Sequence, residues 1–141
     1  MHARQAGLTL VELMVVVAVM AIIATIAYPM YTAQVQKSRR ADAKVALQAI
    51  ALAQERHFTI NGEYTAGLST LQVSPTIQGG SSDEGYYTLN LTRTGTDNEQ
   101  FSVTATRDAS GAQASDGGCV SFTIDQTGAK TATGAAAANC W

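Results

Sequence analysis

The sequence predicts an α+β protein: a long N-terminal helix, apolar over its first half, with its second half laid on a small antiparallel sheet. Three observations carry this. Charge is absent from Leu13 to Gln36, a run of 24 residues. Neither Gly nor Pro interrupts the chain from Tyr31 to Phe58. After a connection containing Gly and Ser, apolar residues stop recurring at helical spacing and alternate strictly with polar ones.

The charge-free run makes a helical rod of about 36 Å at ~1.5 Å per residue, enough to cross a ~30 Å hydrocarbon core. Such a rod needs a membrane, or a structure that buries its copies side by side. Before it lie only Met1 to Gly7, with Arg4 as the firm charge, and Gly7 precedes the apolar run. A secretory signal places its small-residue cleavage site after the apolar stretch. Two readings stay open on this basis. Processing at Gly7 keeps the helix and makes Leu8 the N-terminus; alternatively the segment is an uncut anchor. Glu12 sits at the near edge of the run, and a carboxylate deep in a membrane helix costs about 2.5–3.5 kcal/mol. It is either solvated at headgroup level or paired with a positive group, such as the α-amine of Leu8 in the same or a neighbouring chain.

Pro29 lacks a backbone donor and crowds the preceding turn, so a kink is expected there, with a helix stop as the alternative. Beyond it, Ala41, Val45, Ala49 and Leu52 share one face, widened by Ala46, Ile50 and Ala53. Lys37, Lys44, Gln48 and Glu55 form a separate polar stripe. This broad apolar arc suits a helix packed on a sheet and on neighbours. Asn61-Gly62 is the expected end. Strands are expected where Tyr87, Leu89 and Leu91, then Phe101, Val103 and Ala105, then Val120, Phe122 and Ile124 alternate with polar residues. Gln126-Thr127-Gly128 reads as a turn, and Ala129 to Thr133 as a short fourth strand.

A head of about 100 residues is marginal for a free-standing core. Bridging Cys119 and Cys140 closes a loop of about 20 residues and stabilises it by roughly 3 kcal/mol on the chain-entropy model. The alternative, free thiols or half a metal site, has no further Cys or His nearby. A disulfide implies an oxidising compartment, hence an outward-facing head. The positive-inside rule reads the other way, since Lys37, Arg39, Arg40 and Lys44 come after the span against Arg4 and the amine before it. The cysteines are given the greater weight.

The segment from Gly7 to Pro29, GLTLVELMVVVAVMAIIATIAYP, resembles the class III signal of type IV pilins and pseudopilins. QERHF at 54–58, GEYT at 62–65 and the CVSFTIDQTG…NCW stretch resemble the minor pilins of the PilE group. The resemblance implies a leader over 1–7, a transmembrane and assembly helix over 8–36 and a globular head over 37–141. It implies cleavage after Gly7 by prepilin peptidase, N-methylation of Leu8, Glu12 as the assembly acid and Pro29 as the helix-kinking proline. The sequence departs from the family in having Leu8 where phenylalanine is usual and Ala21 where many members carry glycine.

By function, the resemblance implies a type IV pilus subunit, a minor pilin, working in adhesion, twitching motility or DNA uptake. Its partners would be prepilin peptidase, other pilin subunits in a helical filament, and the inner-membrane assembly machinery. The chain would span the inner membrane once with an extracytoplasmic head, then move to the extracellular pilus. The alternatives are a pseudopilin of a type II secretion system and a membrane-anchored extracytoplasmic binding module. No catalytic residues are expected: His57 stands alone, and no nucleophile elbow, P-loop or zinc-protease motif occurs. No cofactor and no metal are expected, because Asp83, Glu84, Asp108 and Asp116 fit no Ca²⁺-loop spacing and read as solvated loop acids. Asn90-Leu91-Thr92 is a formal glycosylation sequon inside a predicted strand. No direct nucleic-acid contact is expected either. From His57 onward three bases, Arg93, Arg107 and Lys130, face eight acids, whereas Lys37 to Arg56 holds five bases and two acids.

Overall fold

A computed structural model describes residues 9–95 and 98–141. The chain divides into two compact units, Met1–Val35 and Gln36–Trp141. A helix, α1, runs from Leu10 to Asn61 and so contributes to both. Pro29 lies inside it, and the helix continues. The Oγ1 of Thr32 donates to the carbonyl of Pro29 at 2.9 Å, one turn on.

In the first unit every described residue from Thr9 to Tyr31 is exposed. Thr9 caps the helix: its Oγ1 accepts the Glu12 N–H at 3.2 Å. Thr9-x-x-Glu12 is the spacing of a capping box, and an acid in the first turn also complements the helix dipole. Glu12 therefore has a local role at the helix start, in addition to any role in neutralising an amine.

In the second unit, the remainder of α1 covers a four-stranded antiparallel sheet in the order β1-β2-β3-β4. The strands are β1 Tyr87–Thr94, β2 Gln100–Arg107, β3 Ser121–Asp125 and β4 Lys130–Thr133. All four coincide with the alternating segments, within a residue at their starts. Register sets Leu89 opposite Ala105 and Ala105 opposite Phe122, so one sheet face is continuous and apolar. Asp125 folds the β3–β4 turn by accepting from the N–H groups of Thr127 and Ala129.

The buried side of α1 differs from the expected one. Ala43, Ala46, Leu47, Ile50, Ala53 and Gln54 are buried, whereas Ala41, Val45 and Leu52 are exposed. The sealed face thus lies at one edge of the apolar arc. Alanines at 43, 46 and 53 let the helix come close to the sheet, and Leu47 and Ile50 fill the space between them. One core joins these residues to Tyr64, Leu71, Ile77, Tyr87, Phe101, Val103 and Phe122. Between α1 and β1 the chain forms a 3₁₀ turn, Leu68–Thr70, and a one-turn helix α2, Pro75–Gln78, both too short to leave a periodic signal in the sequence. Ser74 caps α2.

Candidate functional site: the assembly helix and its ties to the head

Gly7 and Leu8 lie outside the described residues. Glu12 and Pro29 are both exposed along the apolar half of α1. That half presents Leu13, Val16, Met20, Ile23 and Ile26 with no protein cover. A helix apolar on all sides is stable only where lipid or other helices surround it.

Three sets of contacts hold the head together. At its first residues in the head, α1 grips the loop between β2 and β3. The Arg40 guanidinium forms a two-pronged pair with Asp116, Nε to Oδ2 and Nη2 to Oδ1, both 2.7 Å. Asp116 is 1% exposed and Arg40 19%. Asp116 also accepts from Gln113 Nε2 at 2.8 Å and from the Cys119 N–H at 3.3 Å. Burial pushes its carboxyl up, but the Arg40 hydrogen bonds, the Cys119 N–H, the Arg40 charge and Gln113 together hold it below the usual carboxylate range. Asp116 is thus no solvated loop acid; its partner lies 76 residues away in sequence. Arg39 adds a bond to the Ala112 carbonyl at 2.7 Å, and Gln36 one to Ser115.

Where α1 ends, the QERHF and GEYT motifs meet. Gln54 is buried and its amide pairs with the Thr65 backbone on both sides, donating to the carbonyl at 2.6 Å and accepting from the N–H at 3.1 Å. Tyr64 donates to Glu55 Oε1 at 3.0 Å, and its ring sits between those of Phe58 and Phe101. His57 Nδ1 lies 2.9 Å from the Glu63 carbonyl, a local end-of-helix contact.

The Cys119–Cys140 disulfide is formed, with a Cα separation of 5.7 Å. It fixes the small-residue tract beside β3, where Ala135 and Ala136 donate to the carbonyls of Gly117 and Gly118. Gly134, at φ +129°, packs so closely on the Gly118 backbone that no side chain fits. Among the described residues, no three His, Cys, Asp or Glu side chains come together as a metal site. Asp108 is engaged by the Ser110 N–H and hydroxyl, and Asp83 by Ser74.

One grouping arises only in three dimensions. Lys44 of α1 lies over the Phe122 ring at 5.9 Å and Lys130 of β4 over the Trp141 ring at 5.1 Å. The two rings meet edge to face at 5.7 Å. Burial lowers the Lys44 pKa, as do the charges of Arg40, Lys37 and Lys130.

Comparison with known proteins accords with this geometry. Residues 29–123 match the family model described as "Type IV minor pilin ComP, DNA uptake sequence receptor". Residues 2–28 match the prokaryotic N-terminal methylation motif. The type IV major pilin protein PilA of Myxococcus xanthus is 35% identical over 74 residues, 52% of this chain and 34% of that protein, so the chain spans about a third of that relative's length. The crystal structure of the Neisseria meningitidis non-core minor pilin PilV superposes with a TM-score of 0.51 at 18% identity, covering 72% of this chain and 89% of that one, a likeness of fold. Pilins are structural proteins, and with a family model covering two-thirds of its length this chain belongs to the type IV minor pilins, subunits of the type IV pilus.

Proposed function

We propose that this minor pilin is stored as a single-pass inner-membrane protein with an extracytoplasmic head and then drawn into an extracellular filament. Prepilin peptidase removes Met1–Gly7, Leu8 becomes the methylated N-terminus, and Glu12 neutralises an amine within the packed helices. The observation that carries this reading is the fully exposed apolar helix from Leu10 to Tyr31, broken by a single acid at its first turn. In lipid the helix satisfies its own backbone; in the filament neighbouring rods replace the lipid. Assembly is a head-to-tail contact repeated by a helical operator.

Intact mass and N-terminal sequencing of the protein recovered from cells test it. The expected product lacks Met1–Gly7, carries one methyl group on Leu8 and is two hydrogens lighter at the cysteines. A product beginning at Met1, or lacking the apolar helix, overturns the reading. Glu12→Val should leave membrane insertion intact and abolish entry into filaments.

The DNA contact named in the family description turns on which cations the head leaves free. Of the three bases beyond His57, Arg93 is tied to Glu63 and the Tyr64 carbonyl, and Arg107 to the Ala114 carbonyl. Phosphate binding needs several cations free to displace counterions, and among the described residues Lys37, Lys44, Arg56 and Lys130 take part in no ion pair. Gel-shift titration of the processed protein with duplex DNA at ~0.15 M salt tests the contact: retention that falls as salt rises assigns it to this chain, and no retention removes it.

A further inference from the structure

Within the head, α1 carries opposite charge on its two flanks at one level. Asp42 and Lys44 are two positions apart, so they stand about 200° apart around the helix and only ~3 Å apart along it. Ala43, buried against the sheet, lies between them.

On the Asp42 flank the turn before β1 adds two more carboxylates. One Asp42 oxygen accepts the Glu84 N–H at 3.2 Å, and the other is enclosed without a partner. Asp83 accepts from the Ser74 hydroxyl. Asp83 and Glu84 are both exposed. Asp83 also borders a hollow of about 220 Å³ walled by Leu52, Val73 and Ile77, with Arg56 its one cation. Three acids thus outnumber a single base on this side.

The Lys44 flank is the reverse. Lys44 lies over the Phe122 ring and Lys130 over the Trp141 ring, and the two rings touch edge to face, so both ammonium groups share one aromatic shelf. The nearest acid in sequence, Asp125, is taken up by the N–H groups of Thr127 and Ala129. Glu55, on the same stripe as Lys44 but ~16 Å farther along α1, accepts from Tyr64. Among the described residues the ion pairs are Arg40–Asp116 and Arg93–Glu63. Asp42, Asp83, Glu84, Lys44 and Lys130 are in neither.

The two flanks face apart, so their charges cannot meet within one chain. Between chains they can. Complementary charge on two different surfaces of one subunit suits a heterologous contact, in which each copy offers one surface to the copy before it and the other to the copy after. Lysine stems also cover apolar surface while their heads stay polar, which matches a hollow edged by Asp83.

We propose that the Lys44–Lys130 flank of one head docks on the Asp83–Glu84 flank of a second copy of this chain, setting neighbouring heads side by side at nearly the same level of α1. The inference rests on the filament reading above, for which it supplies the contact between heads.

The test places single cysteines in the full chain in cells, Glu84→Cys in one chain and Lys130→Cys in another; the two native cysteines are already bonded to each other. Oxidative cross-linking is read in the membrane fraction and in sheared filaments. Co-expressed, the two variants should give a mixed dimer, and each alone should stay monomeric. One chain carrying both substitutions should give a ladder of dimers, trimers and higher forms. Adding Asp83→Lys to the Glu84→Cys chain should lower the mixed-dimer yield about tenfold, and adding Lys44→Glu to the Lys130→Cys chain should restore it.

No mixed dimer in either fraction overturns the proposal, as does a yield indifferent to Asp83→Lys. Self-linking of each single variant overturns it too, since that marks a two-fold contact. So does linkage to a different protein without the mixed dimer, which would give these flanks to another subunit. A chain present in filaments yet never cross-linked fails only this inference. A chain that forms the mixed dimer in the membrane but never reaches filaments fails the filament reading and leaves the contact standing.

Discussion

Within one helix, α1, two halves meet opposite fates. Up to Tyr31 every described position is exposed although nearly all are apolar; from Ala43 to Gln54 the side facing the sheet is sealed, and one sealed position is a glutamine. Hydrophobicity alone therefore does not decide burial in this chain. The first half carries large residues on all sides and has no partner within its own unit, so its burial has to come from lipid or other subunits. The second half alternates alanine with Leu47 and Ile50 and finds its partner in the sheet. The head is thus complete on its own core, while the rod is one part of a core still to be assembled.

The most damaging single change to the head removes the tie at the start of the second half. Asp116→Ala leaves the Arg40 guanidinium mostly buried without its counter-charge and should cost about 4 kcal/mol of head stability. Urea unfolding of the full chain in detergent, tracked by Trp141 fluorescence, measures it. Replacing both partners by apolar residues, Arg40→Met with Asp116→Leu, should recover most of the loss. The same pair sets an acid response. The native Asp116 carboxyl titrates below its unfolded value, so its stabilisation is full above the unfolded pKa of ~3.9 and fades as pH falls through the native value. Asp116→Asn should flatten that acid limb of the stability curve.

Next in size is the contrast between two leucines five positions apart on the same helix. Leu47 is fully buried, and Leu47→Ala should cost about 3.5 kcal/mol through lost transfer energy and a cavity. Leu52 is 64% exposed, so Leu52→Ala should stay within ~0.5 kcal/mol for the isolated subunit. If Leu52→Ala instead lowers filament yield, the outward face of α1 is a subunit contact. Slightly smaller is the disulfide. Cys119→Ser with Cys140→Ser should lower stability by about 3 kcal/mol, read as a shift of the unfolding midpoint that is absent under reducing conditions.

These contrasts also mark what the sequence can disclose. The strands are legible because Tyr87/Leu89, Phe101/Val103/Ala105 and Phe122/Ile124 alternate without interruption, and period two has few competing explanations. The end of α1 is legible in Asn61-Gly62, since Gly62 adopts φ +77° there. The buried side of α1 is not. Val45 and Leu52 are as apolar as Leu47 and Ile50, and periodicity gives the width of an arc without saying which edge meets the sheet. Asp116 reads as a solvated acid because nothing near it in sequence announces Arg40. Arg39 and Arg40 likewise read as charges beside the span, whereas in the folded head both are structural ties. Lys130 over Trp141 comes beside Lys44 over Phe122 only through the register of β4 on β3, which no local pattern encodes.

A subtler change bears on the head as a finished core. Tyr87 is 1% exposed, and its ring meets Phe122 edge to face at 5.8 Å. Burial pushes its hydroxyl up to about 12; Gln113 draws it down in part but offers no partner in hydrogen-bonding geometry. The hydroxyl is thus desolvated without return, while the ring does the packing. Tyr87→Phe keeps the ring and removes the unpaired group, so stability should be unchanged or rise by up to ~1 kcal/mol. Tyr64 is the control, because its hydroxyl does donate to Glu55, and Tyr64→Phe should lose about 0.5–1 kcal/mol. A loss at Tyr87 equal to that at Tyr64 would mean that a bound water completes the network around Gln113, and that the base of the head is hydrated where its side chains alone leave acceptors open.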